Sequence, residues 1–488
     1  MHMKSRIFSV ILAAILLSSC GVSEVEQDTE TAAQAETEAA ETQPDYDPKL
    51  EAIDGGGADF SFLTRQTDAN IRLLDDISAE EVTGEVLNDA IYERNNVIME
   101  KYNVKFATKI TGDSSGEIKK TVQAGDSVYS VTFNGLADAV SLSSQGVYMD
   151  LSEMPFVDIT KPYWSGRIME DASIYGKYYA GISDLTIQGY FSSGVVYYNK
   201  ELASLYDLEN PYDLVREGKW TLDKLKQLCQ NVSSDLNGNG EWDENDQYGI
   251  TFNNFAWQIL FYGSGYTFVE KDAEGSLFFN TANENLIDCL QQLMPISQDP
   301  TVTLYSEGYG RLGGNYRITV CRNAFNEARA LFWLEAMYGV PALREMEQDF
   351  GLLPVPKHLE SQENYSSFVH NTHASSVGIP VTAGDMALTG SILEDMTWES
   401  SKTVREAFIE TTLKGKYARD NESADMIDVI INSIRVDYGL LLSSYGLTID
   451  SSMRKLMDQG STDIASFFAA NKDKYTETIN KFCDNFKD

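Results

Sequence analysis

The strongest constraint on the fold is a strand, a helix and a second strand that follow one another within residues 58–106. The first segment, "ADFSFLT", alternates apolar and polar side chains, as a half-buried strand does. Val86, Leu87, Ala90 and Ile91 then recur at helical spacing, and "NVKF" predicts the second strand. Two strands joined by a helix form a parallel βαβ unit, and strands and helices continue to alternate afterwards. The sequence therefore predicts an α/β fold.

Later segments extend this alternation. Two β-rich runs precede a helix that begins after Thr221, whose hydroxyl is suited to cap the helix. The predicted β-rich runs are 178–187 and 190–198, and short strands are predicted at 349–357 and 375–382. Helical periodicity predicts helices at 283–296, 321–347, 402–416, 422–434 and 461–487.

The N-terminus is typical of an exported lipoprotein. Lys4 and Arg6 precede an apolar run at 7–17, which is too short to span a bilayer. The run ends in "LSSCG", which resembles a bacterial lipoprotein cleavage site. We therefore expect residues 1–19 to be a signal peptide and Cys20 to carry lipid. The alternative is an ordinary secretory signal with an incidental cysteine.

The segment that follows is predicted to be an acidic, flexible tether at 20–57. Nine acidic residues and one lysine fall within residues 21–50, and such a composition offers little to bury. The whole chain has a formal net charge of −36 at pH 7. This charge argues against a nucleic-acid partner. We expect membrane attachment through lipid alone, because no further apolar run is long enough to span a bilayer.

The remaining cysteines indicate neither a zinc site nor a redox motif. Cys229, Cys289, Cys321 and Cys483 are widely spaced and form no CxxC pair. Two disulfides and buried free thiols both remain open from the sequence.

The segment "SSDLNGNGEWDENDQYG" (233–249) places oxygen donors at alternate positions around two glycines. Calcium takes roughly six to eight oxygen ligands, and alternating side chains in such a loop converge on one point. A glycine at the sixth position permits the sharp turn. We therefore predict a structural calcium site, with a solvated acidic turn as the alternative. Its predicted ligands are Asp235, Asn237, Asn239, the carbonyl of Glu241, Asp243 and Asp246 in place of the usual glutamate.

Several segments, taken in order, resemble the extracellular solute-binding lipoproteins of ABC importers, of the maltose-binding-like family 1 carbohydrate type. The lipoprotein signal and the tether are the first element, and "VVYYNKEL" followed by "GKWTLDKLKQL" is the most characteristic. The other segments, which occur in the family's order, are "TGEVLNDAIYERNNVIMEKYNVKF", "FNEARALFWLEAM", "DFGLLPVPK", "GIPVTAGD" and "LKGKYARDNESADMIDVI". The resemblance covers nearly all of residues 58–440.

The resemblance implies a two-lobed periplasmic-binding-protein type II fold, with a hinge and a ligand cleft between the lobes. It also implies a non-enzymatic, monomeric protein on the extracellular face of the cell membrane. Such a protein would capture a carbohydrate and deliver it to the permease subunits of an ABC transporter. The expected lobes are discontinuous: lobe 1 would comprise 58–183 and 313–370, and lobe 2 would comprise 184–312 and 371–488.

A sugar site needs aromatic platforms for the apolar faces of the rings and polar side chains for the hydroxyls. Aromatic and polar side chains occur together in two segments, "NNFAWQILFYGSGY" (253–266) and "ALFWLEAM", the second of which contains Trp333 and Glu335. Core packing is the alternative for each aromatic residue. The predicted ligand-binding residues are Trp257, Trp333, Asp184, Phe255, Tyr262, Asn134, Glu335 and Arg322.

The sequence leaves two alternative functions open, a secreted glycoside hydrolase and a calcium-dependent surface adhesion protein. The sequence contains no GxSxG, HExxH or P-loop motif, and the calcium-type loop occurs once. His370 and His373 lie three residues apart, but we do not favour a metal role because no predicted helix or acidic partner accompanies them. A carbohydrate-binding protein therefore remains the preferred interpretation.

Overall fold

The computed structural model describes residues 46–66, 76–281 and 283–487. The predicted signal peptide, Cys20 and most of the tether lie outside the described residues, so those predictions remain predictions. Within the described part of the chain, no helix is both long enough and apolar enough to cross a membrane.

Strands and helices alternate along most of the chain. The strands are β1 Asp59–Arg65, β2 Lys105–Thr111, β3 Val131–Gly135, β4 Gly194–Asn199, β5 Tyr248–Phe252, β6 Val269–Lys271, β7 Leu277–Phe279, β8 Thr303–Tyr305, β9 Ala330–Ala336, β10 Phe350–Leu353, β11 Ser367–Phe368, β12 Ser375–Gly378 and β13 Ile434–Arg435.

The helices vary widely in length. The α-helices are α1 Val86–Tyr102, α2 Ser114–Ala124, α3 Leu136–Ser143, α4 Gly166–Ala172, α5 Gln188–Phe191, α6 Lys200–Leu205, α7 Pro211–Arg216, α8 Leu222–Cys229, α9 Ala256–Gly263, α10 Glu284–Leu293, α11 Tyr316–Asn326, α12 Met386–Lys402, α13 Val404–Glu406, α14 Asn421–Asn432, α15 Tyr438–Leu441, α16 Ile449–Gln459 and α17 Ile464–Asp484. The 3-10 helices are Leu151–Glu153, Met294–Gln298, Ser306–Leu312 and Met337–Leu343, and Ala407–Tyr417 is π-helical.

The first sheet has the strand order β12-β3-β1-β2. Its strands β1, β2 and β3 are parallel, and β12 pairs antiparallel with β3. The connection from β1 to β2 runs through α1, which buries Ile91, Ile98 and Tyr102. The predicted βαβ unit is therefore present, and it is part of a mixed α/β architecture.

The second sheet has the order β10-β4-β9-β5-β8. Strand β5 runs parallel to β8 and β9, whereas β4 is antiparallel to β9 and β10. Strands β4, β5, β9 and β10 are buried along their whole length. Helix α8 packs near β5 and begins as predicted, because the Thr221 hydroxyl accepts a hydrogen bond from the Lys224 N–H.

Two secondary-structure predictions were wrong. The range 321–347 was predicted as one helix, but it contains the end of α11, strand β9 and a 3-10 helix. The short apolar run "ALFWLEA" is buried on both faces of the sheet, and such a run has no periodicity that separates strand from helix. The predicted β-rich run at 178–187 does not form a continuous strand. It makes only isolated β-bridges, such as the one between Gly181 and Val377.

The strand pairing also differs from the predicted division into lobes. Strands β9 and β10, within 313–370, belong to the second sheet, although this range was expected in lobe 1. Strand β12, within 371–488, belongs to the first sheet, although lobe 2 was expected. Helix α12 also lies against α1, where the Tyr102 hydroxyl donates to Asp395 Oδ2 at 2.7 Å. Such pairings join residues hundreds of positions apart, so local sequence patterns do not reveal them.

The four described cysteines resolve the choice between disulfides and thiols. Cys229, Cys289, Cys321 and Cys483 are all free and buried. Burial raises the pKa of Cys289 and Cys321 to about 12. These thiols are therefore protonated core residues at neutral pH.

Candidate ligand cavity

The candidate site begins at one edge of the second sheet. Because β5 and β9 are parallel, their carboxyl ends meet at the same edge. Asn253, Asn254 and Phe255 follow β5 directly, Glu335 lies near the end of β9, and Tyr338 follows that strand. In open α/β sheets this edge is where ligands usually bind.

The opposite wall comes from the connection between β11 and β12, which is attached to the first sheet. Arg65, at the carboxyl end of β1, donates to the backbone carbonyls of Thr372 and His373. At the start of α3, the Leu136 N–H donates to the Ala374 carbonyl at 3.0 Å. This connection therefore lies at the carboxyl edge of the first sheet and faces residues from the second sheet.

Together these segments enclose a central cavity of about 250 Å³. Further lining comes from the start of α11 and from α16, so the cavity combines residues from five separate parts of the chain. The lining residues are Asn253, Asn254, Phe255, Asn315, Arg317, Ile318, Glu335, Tyr338, His370, His373 and Arg454.

Four rings form an aromatic column along this cavity. Phe255 stacks on His370 with ring centroids 4.6 Å apart, and His370 stacks on His373 at 3.8 Å. Tyr338 meets His373 edge to face at 5.5 Å. Stacking covers both faces of His370, so the column is held rigidly and lines the cavity with ring edges and ring nitrogens.

Two arginines line the cavity, and each is held through its Nε atom. Arg454 Nε donates to both carboxylate oxygens of Asp450, at 3.2 and 3.1 Å. Arg317 Nε donates to Glu307 Oε2 at 2.7 Å. A guanidinium carries five N–H donors, so each anchored arginine retains donors for a ligand. The Arg454 guanidinium also lies 5.5 Å from the Phe255 ring centroid, within cation–π range.

Glu335 is the single carboxylate among the described lining residues. Its side chain is almost fully buried, and its Oε1 accepts a hydrogen bond from the Ala336 N–H at 2.9 Å. Gly339 lies against it: a Cβ there would approach Glu335 Cγ to 3.2 Å and Trp333 Cη2 to 2.9 Å. The absence of a side chain at Gly339 therefore leaves room for the Glu335 side chain beside the Trp333 ring.

Of the predicted ligand-binding residues, the structure brings Phe255 and Glu335 together at the cavity. Trp257, Tyr262 and Trp333 lie in the core instead. Trp257 has no exposed surface, and Trp333 stacks on Tyr197 with centroids 4.8 Å apart. The side chains face inward because α9 and β9 are covered on all sides, so richness in aromatic residues did not distinguish lining from core.

Asn134, Asp184 and Arg322 also lie apart from the lining. Asn134 is buried in the first sheet, where its Nδ2 donates to the Tyr148 hydroxyl at 2.7 Å. Arg322 is half-buried on α11. Asp184 accepts a hydrogen bond from the Tyr190 hydroxyl at 2.6 Å, and burial raises the pKa of Asp184 to about 6.

Sequence reasoning missed the histidine pair and both arginines. The spacing of His370 and His373 was visible, but their stacking on Phe255 depends on the position of the β11–β12 connection. Arg454 lies far along the chain on α16, and no local pattern connects it to β5 or β9. A basic residue four positions after an acidic one on a helix, Asp450 and Arg454, was the available signal for an anchored arginine.

The predicted calcium loop lies apart from this cavity and is referred to below as the acidic loop (235–246). Gly238 and Gly240 adopt left-handed conformations, with φ of 67° and 76°. Asp235 accepts hydrogen bonds from the N–H groups of both glycines, at 2.7 and 2.8 Å. Asp246 is fully buried and accepts from the Asp243 N–H at 2.9 Å.

The possible metal ligands of the acidic loop are carboxylate, amide and backbone carbonyl oxygens. A search of the described residues finds no cluster of three or more His, Cys, Asp or Glu side chains arranged to hold a metal ion. The three carboxylates of the predicted set, Asp235, Asp243 and Asp246, therefore do not form such a cluster. The set also includes Asn237, Asn239 and the Glu241 carbonyl, which are neutral oxygen donors outside that search. Within the described part of the chain, Asp246 has no lysine or arginine in ion-pair range. Its carboxylate instead accepts hydrogen bonds from the Leu236 and Asp243 N–H groups, at 3.1 and 2.9 Å, and the nearby Arg329 guanidinium donates to the Asp246 backbone carbonyl at 3.3 Å.

Comparison with known proteins identifies the fold. The chain matches no protein-family model and no curated protein by sequence, but it matches solved structures over most of its length. A cyclic alpha-maltosyl-1,6-maltose binding protein from Arthrobacter globiformis superposes with a TM-score of 0.58 at 14% identity, covering 88% of this chain and 100% of that one.

Two further structures agree. A sugar transporter protein from Rhizobium etli, in an open conformation, has a TM-score of 0.57 at 13% identity and covers 86% of this chain and 99% of its own. An ABC substrate-binding protein from Listeria monocytogenes in complex with cycloalternan has a TM-score of 0.55 at 12% identity, covering 87% and 99%. The chain therefore has the type II periplasmic-binding-protein fold that the resemblance implied.

Proposed function

We propose that the chain is an extracellular solute-binding protein that captures a carbohydrate and delivers it to the permease of an ABC transporter. The observation that carries this proposal is the central cavity. It lies between the carboxyl edges of two sheets and combines an aromatic column with anchored arginines, amides and one carboxylate. The structural neighbours described above, which are themselves sugar-binding or ABC substrate-binding proteins, support this function.

The lining suits the two chemical faces of a sugar. The edges of the stacked Phe255, His370 and His373 rings provide an apolar wall against which the C–H groups of a sugar ring pack. Glu335 accepts hydrogen bonds from hydroxyl groups, and Arg454 donates to their oxygens. Hydrogen bonds to charged groups contribute about 1.5–3 kcal/mol each, more than neutral ones do. Glu335 and Arg454 therefore carry most of the polar contribution to affinity.

Ligand binding would be coupled to closure of the two sheets on one another. The connection that carries His370 and His373 is attached to the first sheet through β12 and Arg65. It also meets the segment before β4, where the His370 N–H donates to the Ser192 carbonyl at 3.1 Å. Phe255 and Glu335 belong to the second sheet alone. A ligand that contacts both groups favours the closed arrangement by its differential affinity. The closed form would be the one that the permease recognises.

A glycoside hydrolase is not favoured. Hydrolysis of a glycosidic bond usually requires two carboxyl groups on either side of the bond. Glu335 is the one carboxylate that the described lining offers, and a second would have to come from outside it. The same geometry is sufficient for binding, which needs no proton transfer.

The proposal includes the N-terminal anchor. Cleavage after residue 19 would leave a lipid on Cys20, and the acidic tether would hold the folded part clear of an anionic membrane surface. A monomer is expected, because binding and closure involve one copy of the cavity. Mass spectrometry of the membrane-associated protein would detect the lipid, and unmodified Cys20 would contradict this part.

The acidic loop is proposed to bind a structural calcium ion. Its residues fit such an ion by donor type, by alternate spacing and by the left-handed glycines that give the turn. The ion would add positive charge beside the buried Asp246 carboxylate. Asp235, Asp243 and Asp246 would be its carboxylate ligands, and Asn237, Asn239 and the Glu241 carbonyl its neutral ones.

A thermal-shift screen of the chain against a glycan panel tests the main proposal. A ligand at about 100 times its dissociation constant stabilises the native state by about 2.7 kcal/mol, which raises the melting temperature. We expect one saccharide series to raise the melting temperature. The saccharide recovered after the experiment should be chemically intact. Cleavage of that saccharide, or the absence of any shift, would contradict the proposal.

A further inference from the structure

Two Asn-Gly dipeptides in the acidic loop have a chemical reactivity that the roles described above do not use. They are Asn237-Gly238 and Asn239-Gly240, and all four residues are exposed. The sequence contains one further dipeptide of this kind, Asn134-Gly135, which lies in β3. The three dipeptides have the same covalent chemistry, so any difference in their reactivity must come from the fold.

An asparagine followed by glycine can lose its side-chain amide in an intramolecular reaction. The glycine backbone nitrogen attacks the asparagine Cγ, a new N–Cγ bond forms, and the Cγ–Nδ2 bond breaks. The amide nitrogen leaves as ammonia with the proton of the glycine N–H, and a cyclic succinimide remains. Water then opens the ring at either carbonyl, which gives aspartate or its isomer linked through the side chain. Glycine favours this reaction because its backbone is the least restricted and no side chain shields its nitrogen.

The fold opposes this reaction at Asn134. The side chain is buried, its Nδ2 donates to the Tyr148 hydroxyl at 2.7 Å, and its Oδ1 accepts from the Ser114 hydroxyl. Gly135 is equally confined, because a Cβ there would lie 3.0 Å from the Thr372 carbonyl oxygen. The amide therefore has little room to rotate towards the glycine nitrogen, and it is shielded from water.

The two dipeptides of the acidic loop are not confined in this way. A Cβ built on Gly238 or Gly240 would meet none of the described atoms within 4 Å, so the space beside both glycines is open. The side chains of Asn237 and Asn239 are exposed to water, which is the second reactant. Burial therefore protects neither dipeptide.

Hydrogen bonds to Asp235 restrain both dipeptides instead. Its Oδ1 accepts from the Gly238 N–H at 2.7 Å, and its Oδ2 accepts from the Gly240 N–H at 2.8 Å. The glycine nitrogen must lose its proton in order to attack. A carboxylate bonded to that proton opposes the loss, because two negative charges would then lie side by side. One side chain therefore restrains both glycines.

The asparagine side chains are held by weaker contacts. The Asn237 Oδ1 accepts from the Asn239 N–H at 3.0 Å, and the Asn239 Oδ1 accepts from the Glu241 N–H at 2.7 Å. Hydrogen bonds between neutral groups contribute less than those to a charged group. Opening of the Asp235 contacts is therefore the step that controls the reaction at both sites.

We propose that Asn237 and Asn239 are sites of intramolecular deamidation and that Asp235 controls its rate at both. Each event replaces an amide with a carboxylate and adds one negative charge to the loop. The isomer linked through the side chain also lengthens the backbone by one carbon, which changes the turn at the left-handed glycines. The acidic loop is therefore a modification site whose chemical state changes as the protein ages. The reaction requires neither a bound carbohydrate nor calcium.

Peptide mapping by mass spectrometry tests the proposal on the full chain. The unsubstituted protein and an Asp235→Ala variant are incubated at mildly alkaline pH with a chelator, and conversion of each Asn-Gly dipeptide is followed with time. In the unsubstituted protein we expect slow conversion of Asn237 and Asn239 and none of Asn134. In the variant both loop sites should convert at least about tenfold faster, the factor by which loss of a hydrogen bond to a charged group shifts a local equilibrium.

Asp272→Ala is the matched control. Asp272 accepts hydrogen bonds from the Glu274 and Ser276 N–H groups in another exposed turn, at 3.1 and 2.8 Å. That turn contains no Asn-Gly dipeptide, so Asn237 and Asn239 should convert in this variant as slowly as in the unsubstituted protein. Equal acceleration by both substitutions would overturn the role of Asp235.

Asn134 distinguishes local opening of the loop from unfolding. If it converts in the Asp235→Ala variant, that variant has unfolded, and the time course of the unsubstituted protein decides. Conversion confined to Asn237 and Asn239 there supports the proposal, and conversion of all three asparagines at similar rates overturns it. Unmodified loop asparagines in both proteins, or the same rate of conversion in both, would also overturn it.

Discussion

The acidic loop and the central cavity are built in opposite ways. The loop closes on itself: its carboxylates accept hydrogen bonds from its own backbone, as Asp235 does from Gly238 and Gly240. The cavity has no such local organisation, because its walls come from both sheets and from α11 and α16. The loop is therefore held by nearby residues, whereas the cavity depends on the correct packing of most of the chain.

The difference in construction indicates different roles for the acidic loop and the central cavity. A loop that is stabilised locally supports the folded state and does not need to touch a ligand. A cavity between two sheets responds to their relative movement, and so it is where binding and conformational change are coupled. Substitutions in the two regions should consequently change different quantities, stability for the loop and affinity for the cavity.

The largest expected effect is on ligand affinity. Replacing Glu335 with Gln removes a charged acceptor from the cavity, and a hydrogen bond to a charged group contributes about 1.5–3 kcal/mol, or roughly ten- to hundredfold in affinity. Isothermal titration with the bound saccharide would measure this loss. Glu217→Gln, on an exposed ion pair with Lys219, is the matched control. Equal affinity in both variants would remove Glu335 from the site.

Removing calcium is expected to lower stability without changing affinity. An ion present at about 100 times its dissociation constant stabilises the native state by about 2.7 kcal/mol. We expect chelation to lower the melting temperature of the protein but not that of an Asp235→Ala variant, which has already lost a ligand. Saccharide affinity of that variant should stay within about twofold, since 0.4 kcal/mol is roughly that factor. No effect of chelator on the unsubstituted protein would contradict the calcium proposal.

A substitution at Gly339, which lies against Glu335, is expected to change both the stability of the protein and its affinity for the saccharide. In a Gly339→Ala variant the new Cβ would contact Trp333 Cη2 at 2.9 Å and Glu335 Cγ at 3.2 Å. Overpacking of this kind costs about 1–3 kcal/mol, and it displaces the Glu335 carboxylate. We expect both lower stability in urea and weaker binding. A lower free energy of unfolding with unchanged saccharide affinity would show that binding does not depend on the position of the Glu335 carboxylate.

The smallest expected effect concerns pH and Asp184. Burial is the main cause that raises its pKa to about 6, while Arg405 and the Tyr190 hydroxyl oppose that shift and Glu406 adds to it. The native state thus binds this proton more tightly than the unfolded chain. Its contribution to stability therefore rises as pH falls from about 6 towards 4, and is lost as pH rises through 6.

An Asp184→Asn variant would isolate this contribution. We expect the slope of the free energy of unfolding against pH to become less negative between pH 4 and 6, by at most about 1.4 kcal/mol per pH unit, the limit for one proton. Chemical denaturation across that range would measure the slope. An unchanged slope would show that Asp184 does not titrate there.

The two regions also show what the sequence could predict. The α/β class, the βαβ unit and the Thr221 cap depend on local patterns, and each was predicted. The acidic loop is one continuous segment, so its candidate ligands were visible as well. Phe255 was predicted because it occurs in an aromatic segment beside Asn253 and Asn254, and Glu335 because it is the acidic residue of the aromatic segment "ALFWLEAM".

The rest of the cavity could not be predicted, because it depends on long-range pairing. β9 was taken for part of a helix, and this concealed the edge at which Glu335 and Tyr338 meet Phe255. The His370–His373 stack needs β12 in the first sheet, which local periodicity does not specify. The chemistry of Trp257 and Trp333 suits a sugar site, but Trp257 is buried on α9 and Trp333 in β9, so neither lines the cavity.

Amide hydrogen exchange with and without a saturating saccharide tests the central claim most directly, because it reports on both regions in one experiment. If the cavity is the carbohydrate site, exchange will slow in the segments 253–255, 315–318, 335–338 and 370–373 and will stay unchanged in the acidic loop. Slower exchange confined to the acidic loop, or to segments outside the cavity lining, would contradict the assignment.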